Sequence, residues 1–479
     1  MMLFPLHCLD LHVTPPTLLS STSGSSSGLG NISIVYVPAG CSAAYKAVYP
    51  WSSKVIVDGS GVAVNVTVTP GMLGEEILKQ TGYLSDVNYL TVSGSVNDVD
   101  INNIKNSMPN LLTIDMSGLD MKEVPVGMFI DRKAILSVIL PSVVETIGGG
   151  AFCGCVNIES IVLPEGLKSL CYEHYIDGKY DVGAFKSCTS LKSISLPSTL
   201  ERIEDYSFSN CTALRKVTFN KGLEYIGNNA FYYCTALKSI VLPETLDNLP
   251  YGVFYGCSSL ENIVLNGVKS IGFSSSSYSG AFENCTSLKT VEIPEGVTFV
   301  GTRTFKGCTN ITEVSLPSTL ASCGETPFGG CNKLSSVTCK ALIPPTLASG
   351  LLTLEDMGLP LQRTLNVPEW TLNQYKLTSG WAAFSQIVSI PNFNPSSINV
   401  TNDAVLTLPT AGLPANYKPD MNIGLKSDTL ASLHLKGSGT FTLGNYAQYI
   451  NSQLLNEVCM TADSVQVKMY LEKYRSSTG

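Results

Sequence analysis

The chain has 479 residues, 44% hydrophobic and only 14% charged, so a core is easily buried and the surface must be made largely of Ser, Thr, Gly and Asn. Thirty Lys and Arg against 38 Asp and Glu give a net charge of −8, spread along the chain without basic blocks, which argues against nucleic acid or an anionic membrane as the main partner. No apolar run reaches the ~18–20 residues of a membrane span, and four His with no Cys-x-x-Cys pair exclude a zinc finger.

The amino terminus, MMLFPLHCLD, lacks a basic stretch and interrupts its apolar residues with Pro5, His7 and Asp10, which makes a poor export signal. His7 is too bulky to precede a lipid-modified Cys8. Residues 24–28 match the nucleophile-elbow spacing G-x-S-x-G, but that elbow needs a strand before it and a helix after it. Here the match lies in STSGSSSGLGN, a flexible linker composition. Around it, HCL…TPPTL…VYVPAGCSAAYKAVYPW (7–51) repeats TCK…IPPTL…LNVPEWTLNQYKLTSGW (338–381), with Pro38, Tyr45, Lys46 and Trp51 at the spacing of Pro368, Tyr375, Lys376 and Trp381. The paired carboxylates Glu75-Glu76 read as a solvated helix face rather than an acid–base pair.

A repeat dominates the middle of the chain. AFKSCTSLKSISLPSTLERI (184–203), FSNCTALRKVTFNKGLEYIG (208–227) and FYYCTALKSIVLPETLDNL (231–249) are versions of one unit, continued at 254–272, 282–301 and 305–324. The marker residues Phe129, Phe152, Phe185, Phe208, Phe231, Phe254, Phe282, Phe305 and Phe328 stand 23 residues apart, save for intervals of 33 and 28 that read as insertions. Three residues after the Phe comes Cys, at 155, 188, 211, 234, 257, 285, 308 and 331, and three further on Leu or Ile. An apolar-x-apolar step such as Ile194-Ser195-Leu196 then predicts a short strand with one face inward. Pro197, Pro243, Pro294 and Pro317 end it, because Pro cannot donate to the next ladder position. A second apolar pair (Leu200 and Ile203; Leu223 and Ile226) and a Gly lead back to the next Phe. One such unit cannot bury its apolar side alone; stacked units can, with strands about 4.8 Å apart.

These residues resemble the BspA-type leucine-rich repeats of surface proteins from anaerobic bacteria and some mucosal protists, over about 110–343. The expected fold is an α/β repeat solenoid, a parallel sheet of 23-residue coils, with a small β-rich C-terminal domain. Arg132 departs from the pattern where the first unit should have Cys, Cys339-Lys340 replaces the apolar-Pro step in the last, and Phe219-Asn220 and Leu265-Asn266 lack the Pro. The domain reading is 1–57 as the tail of a preceding array, with the chain starting at an internal Met or as a fragment. Residues 58–390 form the solenoid, with an opening cap at 62–109 and a closing cap at 344–390. VTNDAVLTLP, ASLHLKGSGTFTLG and SVQVKMYLEKY mark 391–479 as a β-rich domain, read as truncated.

The cysteines and the insertions carry the candidate chemistry. Equivalent Cα atoms on neighbouring coils lie about 5 Å apart, inside the disulfide window, but in-register Cβ atoms stay equally far apart, beyond the 3.5–4.5 Å that a bond needs. The ladder cysteines are therefore expected reduced, buried and inert, with Cys41 and Cys459 better placed for oxidation. The first insertion holds Cys171, Glu173, His174, Asp177 and Asp181, at spacings that fit no rigid metal template; a contact loop through Tyr172, Tyr175 and Tyr180, joined by Tyr278 of the second insertion, is the preferred reading.

Counted eight and ten after each Phe, the outward strand residues are Ser193/Ser195, Lys216/Thr218, Ser239/Val241, Asn262/Val264, Thr290/Glu292 and Glu313/Ser315, flanked by Ser160/Val162 and Ser336/Thr338. A small-residue, nearly uncharged face suits proteins or extended polymers better than a small molecule. With the resemblance, this points to a non-enzymatic adhesion or binding protein at the cell surface or outside the cell, with a protein or glycan ligand, no nucleic acid, no cofactor and no metal. The alternative is an accessory binding fragment of a larger carbohydrate-active enzyme, against which no acid pair recurs in a cleft-forming context.

Overall fold

The computed structural model describes residues 34–48, 51, 54–59, 61–170, 183–272, 279–348, 363–368 and 371–390. It adds the backbone of strands Cys8–Asp10, Ser397–Thr401, Ser432–Lys436, Gly439–Leu443, Glu457–Met460 and Val465–Met469. The chain divides into two compact units, 1–246 with 252–264, and 247–251 with 265–479.

In the first unit the x-apolar-x triplets make three-residue strands that turn their middle residue inward, except Ser160-Ile161-Val162, which keeps the alternation without pairing as a strand. Ser193–Ser195 pairs in parallel with Lys216–Thr218, and Ser239–Val241 with Asn262–Val264. The apolar pair beyond the Pro builds a second ladder that the sequence reading treated only as a turn: Glu123–Val124, Thr146–Ile147, Ser169–Leu170, Arg202–Ile203 and Tyr225–Ile226, all parallel. The second unit repeats both ladders. One runs through Thr290–Glu292, Glu313–Leu316, Ser336–Cys339, Thr364–Val367 and Gln386–Ser389, the other through Asn248–Leu249, Ser270–Ile271, Phe299–Val300, Ser322–Cys323 and Thr346–Leu347. A 23-residue coil that spends its length on two strands has no room for a helix. Among the described residues the α-helices, Ser42–Lys46, Leu73–Leu78, Asp98–Asn102 and Leu372–Leu377, lie outside the regular coils. The solenoid is thus a β-solenoid of stacked coils, as the period predicts.

Aromatic stacking runs along the core of each unit. Phe129, Phe152, Phe185, Phe208, Phe231 and Phe254 follow one another at ring-centroid distances of 5.4, 5.0, 5.4, 5.2 and 5.4 Å. Phe282, Phe305 and Phe328 stack at 5.3 and 5.4 Å in the other unit. Two residues beyond every marker Phe the backbone is left-handed: Asp131, Gly154, Ser187, Asn210, Tyr233 and Gly256, then Asn284, Gly307 and Gly330, with φ between 56° and 74°. Gly, Asn and Asp bear this conformation at least cost, which explains most of the choices. Tyr233 is the expensive exception.

That turn aims the Cys at the preceding coil. The thiol of Cys211 donates to the Phe185 carbonyl at 3.1 Å, Cys234 to Phe208 at 3.2 Å, and Cys308 to Phe282 at 3.1 Å; Cys155, Cys188, Cys257 and Cys331 do the same. The sequence reading foresaw a small filler with a weak donor, and the structure supplies its acceptor. Where the first coil has Arg132 instead, the guanidinium reaches back to three carbonyls, of Ile104, Lys105 and Met108. Arg363, almost fully buried, donates to the Cys331 carbonyl at 3.3 Å. The missing Pro at Asn220 is replaced by side-chain bonds: its amide donates to the Pro197 and Leu200 carbonyls at 2.6 and 2.9 Å, and its oxygen accepts from Gly222 N at 2.8 Å.

The strands Val62–Val68, Val87–Gly94, Thr113–Leu119 and Ser137–Ile139 form one parallel sheet, so residues 62–109 lead directly into the first coils. Buried Asp100 accepts from Gly71 N and Leu73 N at 2.6 and 2.9 Å, holding the turn into Leu73–Leu78. Farther N-terminal, Ile34–Val37 pairs with Cys8–Asp10 and Val55–Asp58. Ile34 and Val57 are buried in one cluster with Leu112 and Ala134.

The internal duplication is visible in three dimensions. Tyr45 meets Trp51 edge-on at 5.8 Å, and Tyr375 meets Trp381 at 5.3 Å. In the second copy the Tyr375 hydroxyl donates to the Ala341 carbonyl at 2.8 Å, and the Trp381 indole to the Pro345 carbonyl at 2.9 Å. Beyond 390, Ser397–Thr401, Ser432–Lys436 and Glu457–Met460 pair in parallel, as do Gly439–Leu443 and Val465–Met469.

Candidate functional site

The outward strand positions follow from the alternation of a strand whose middle residue is held in the core. In the first unit Ser193, Ser195, Lys216, Thr218, Ser239, Val241, Asn262 and Val264 are all exposed, in register across Ser193–Lys216, Ser195–Thr218, Ser239–Asn262 and Val241–Val264. In the second unit Thr290, Glu292 and Glu313 are exposed and Ser315 is half-buried. Ser336 and Thr338 are also half-buried, Ser336 because the Asn366 amide donates to its hydroxyl at 3.0 Å. Exposure of these outward positions therefore falls toward the strand Thr364–Val367.

On the first unit's face four of the six residues ten after a marker Phe are apolar, in two pairs separated by Ser195 and Thr218. Ile139 is 50% exposed, Val162 84%, Val241 58% and Val264 43%. β-branched side chains stand stiffly on a sheet and lose little entropy when covered, so they present ready contact area. One residue before the triplets from Ser160 onward is a charged row: Lys192, Arg215, Lys238 and Glu261 are exposed and Glu159 is half-buried. Lys192 is ion-paired with Glu159 at 2.7 Å.

A second surface feature escaped the sequence reading. Tyr232 and Tyr255, each one residue after a marker Phe, stack at 4.7 Å, and Tyr233 meets them edge-on at 4.7 and 5.4 Å. Lys186 lies 5.3 Å from the centre of the Tyr206 ring nearby in the same unit. The signal was present as Tyr at one position of successive repeats. The insertion tyrosines Tyr172, Tyr175, Tyr180 and Tyr278, and the Cys171–Asp181 ligand set, lie outside the described residues.

Among the described residues no group of three His, Cys, Asp or Glu is placed to hold a metal ion, and no helix is long and apolar enough to cross a membrane. The thiols are chemically quiet. Burial pushes Cys155 and Cys331 up to about 12 and Cys339 to about 11, and drives Cys188, Cys211, Cys234, Cys257, Cys308 and Cys323 well above the ordinary thiol range. A thiol that stays protonated is neither a nucleophile nor a metal ligand at neutral pH.

Among solved structures the chain is similar to a leucine-rich repeat protein from Bacteroides ovatus, 20% identical over 79% of this chain and 88% of its own, with a TM-score of 0.45. A leucine rich cell surface protein from Faecalibacterium prausnitzii is 17% identical over 70% of this chain and 87% of its own, with a TM-score of 0.29. The leucine rich repeat protein of T. pallidum is 28% identical over 42% of this chain and 78% of its own, with a TM-score of 0.32. No protein with a curated description matches the chain. The profile of the BspA type leucine rich repeat region matches residues 77–177, 179–280 and 274–344, more than half of the sequence, with the Phe–Cys–Leu coils described above at its centre. The chain belongs to the BspA-type leucine-rich repeat family.

Proposed function

We propose that this chain is a non-enzymatic binding or adhesion protein of the cell surface or extracellular space, which contacts proteins or extended polymers through the outward positions of its three-residue strands. The observation that carries the reading is the run of exposed outward side chains Ser193, Ser195, Lys216, Thr218, Ser239, Val241, Asn262 and Val264, set in register by paired three-residue strands and including the exposed pair Val241 and Val264. Such a face is stiff, so little ordering entropy opposes binding. It is also shallow and nearly uncharged, as suits a broad contact rather than a substrate pocket. Family membership in a repeat class built around such ladders supports the same reading.

The test is a glycan and protein binding array on the purified chain, followed by Val241→Glu with Val264→Glu, two exposed substitutions that leave the core untouched. Ligands captured by the wild type should bind the double variant at least tenfold more weakly. Unchanged affinity for every captured ligand would overturn this face as the binding surface.

A further inference from the structure

A scan along the sequence finds no basic block, yet coiling brings one together. Arg215 N donates to the Lys192 carbonyl at 2.9 Å and Lys238 N to the Arg215 carbonyl at 3.4 Å, so Lys192, Arg215 and Lys238 occupy one position on three consecutive coils. Lys216 stands beside Arg215 as the first residue of its strand. All four side chains are exposed. Lys192 is neutralised by Glu159 at 2.7 Å, and Glu261 follows on the next coil. Arg215, Lys216 and Lys238 have no carboxylate within ion-pairing distance among the described residues. In a chain with a net charge of −8 and few charges of any sign, three unpaired cations on two neighbouring coils, Arg215 and Lys216 on one and Lys238 on the next, repel one another in the free protein.

We propose that this strip is a docking site for a linear polyuronate, an acidic polysaccharide with one carboxylate on each sugar, laid across the coils. The inference rests on the binding role of the adjoining face and names its ligand class. Coils rise by about 4.8 Å, close to the length of one pyranose in a linear chain, so those carboxylates that the twisting chain turns toward the strip come within reach of Arg215, Lys216 and Lys238. The ground beside the cations is hydroxyl-bearing: Thr212 and Thr235 on one side, Ser193 and Ser239 on the other, groups that match the sugar hydroxyls. A single-stranded nucleic acid would want aromatic side chains for its bases, and the residues of this strip include none. A protein partner would want a deep aromatic or Arg-lined anchor pocket, whereas these positions form an open row.

The experiment uses the full chain and measures binding of galacturonate dodecamers by calorimetry at 50 and 300 mM salt, with dextran oligomers of equal length and dT12 as comparators. Arg215→Gln with Lys238→Gln removes two cations of the strip. Lys340→Gln with Lys376→Gln removes the same charge elsewhere. The proposal expects galacturonate to bind at low salt, dextran not to bind, and affinity to weaken at 300 mM. The strip variant should lose about tenfold and the control variant less than twofold. Absence of galacturonate binding at 50 mM salt overturns the proposal, as does equal loss in both variants or equal affinity for dT12. If galacturonate fails while another captured ligand still depends on Val241 and Val264, the ligand class is wrong and the binding role of the face stands.

Discussion

Phe231→Ala is the sharpest test of the solenoid's energetics. The ring is fully buried, sandwiched between Phe208 at 5.2 Å and Phe254 at 5.4 Å, with Phe219 edge-on at 5.8 Å and 83°. Truncating a buried Phe costs about 3–5 kcal/mol through lost transfer energy and the cavity left behind. Each aromatic pair adds roughly 0.5–1.5 kcal/mol beyond area burial, and three pairs are lost, which puts the expected cost near the top of that range, about 5 kcal/mol. The coils cannot close the gap cheaply, because the Phe231 amide and carbonyl are tied to Val253 O and the Cys257 thiol. Urea unfolding followed by far-UV circular dichroism, compared with Phe231→Leu, separates the two contributions. Leu keeps most of the volume and loses the ring contacts, so it should cost about 1–2 kcal/mol. A cost below about 1 kcal/mol for the Ala variant would show that the stack contributes little and that the coil register is not set by the marker Phe.

Alkali should unfold the protein early. The buried thiols keep their protons in the folded chain, Cys339 to about 11 and Cys155 to about 12, whereas unfolded thiols release theirs near 8.5. Stability is therefore full below about pH 8.5 and falls as pH rises from there toward the folded values, by up to ~1.4 kcal/mol per pH unit for each thiol. Urea midpoints should be flat from pH 6 to 8 and markedly lower at pH 10; a flat profile to pH 10, or ladder thiols that react with a disulfide reagent before unfolding, contradicts the burial. Arg132→Cys, which would restore the repeat pattern, should destabilise the chain by about 2–4 kcal/mol, because three carbonyls lose their donor; calorimetric melting reads it. Thr326→Gly should raise the urea midpoint by the equivalent of about 0.5–1 kcal/mol, since a β-branched residue is held there at φ 42°. Deleting residues 1–57 uncovers Leu112 and Ala134 and should lower the midpoint while the remaining array still unfolds cooperatively by circular dichroism.

The coil register was legible because a period of 23 leaves each inward position marked by the same residue type, from Phe129 to Phe328. The second ladder was harder, because two residues such as Arg202–Ile203 are too few to show alternation. The left-handed turn after each Phe was written in Gly, Asn and Asp, but Tyr233 and Ser187 at the same position hid the rule. Cys as a donor was anticipated; Phe as its acceptor was not, because a backbone carbonyl leaves no trace in residue identity. The cation strip was invisible for a different reason: Lys192, Arg215 and Lys238 stand 23 residues apart in the chain and become neighbours only after coiling. No residue pattern names the ligand, since a flat sheet face selects by shape and charge over many weak contacts.

The bond from each thiol to the preceding Phe carbonyl has a consequence for how such a protein can change. The joint uses one side-chain atom and one backbone atom, and it asks nothing of the outward residues Ser193, Lys216 or Ser239. Any coil with Phe at its start and Cys three places on can therefore follow any other. Whole coils can be duplicated, dropped or shuffled without redesigning the seam, and the outer face can be rewritten one coil at a time. The freedom stops at Arg132 and Arg363, whose guanidiniums fit particular carbonyls at the two ends of the array. Recombination should vary the middle and spare these terminators, so that length and surface drift while the closures persist.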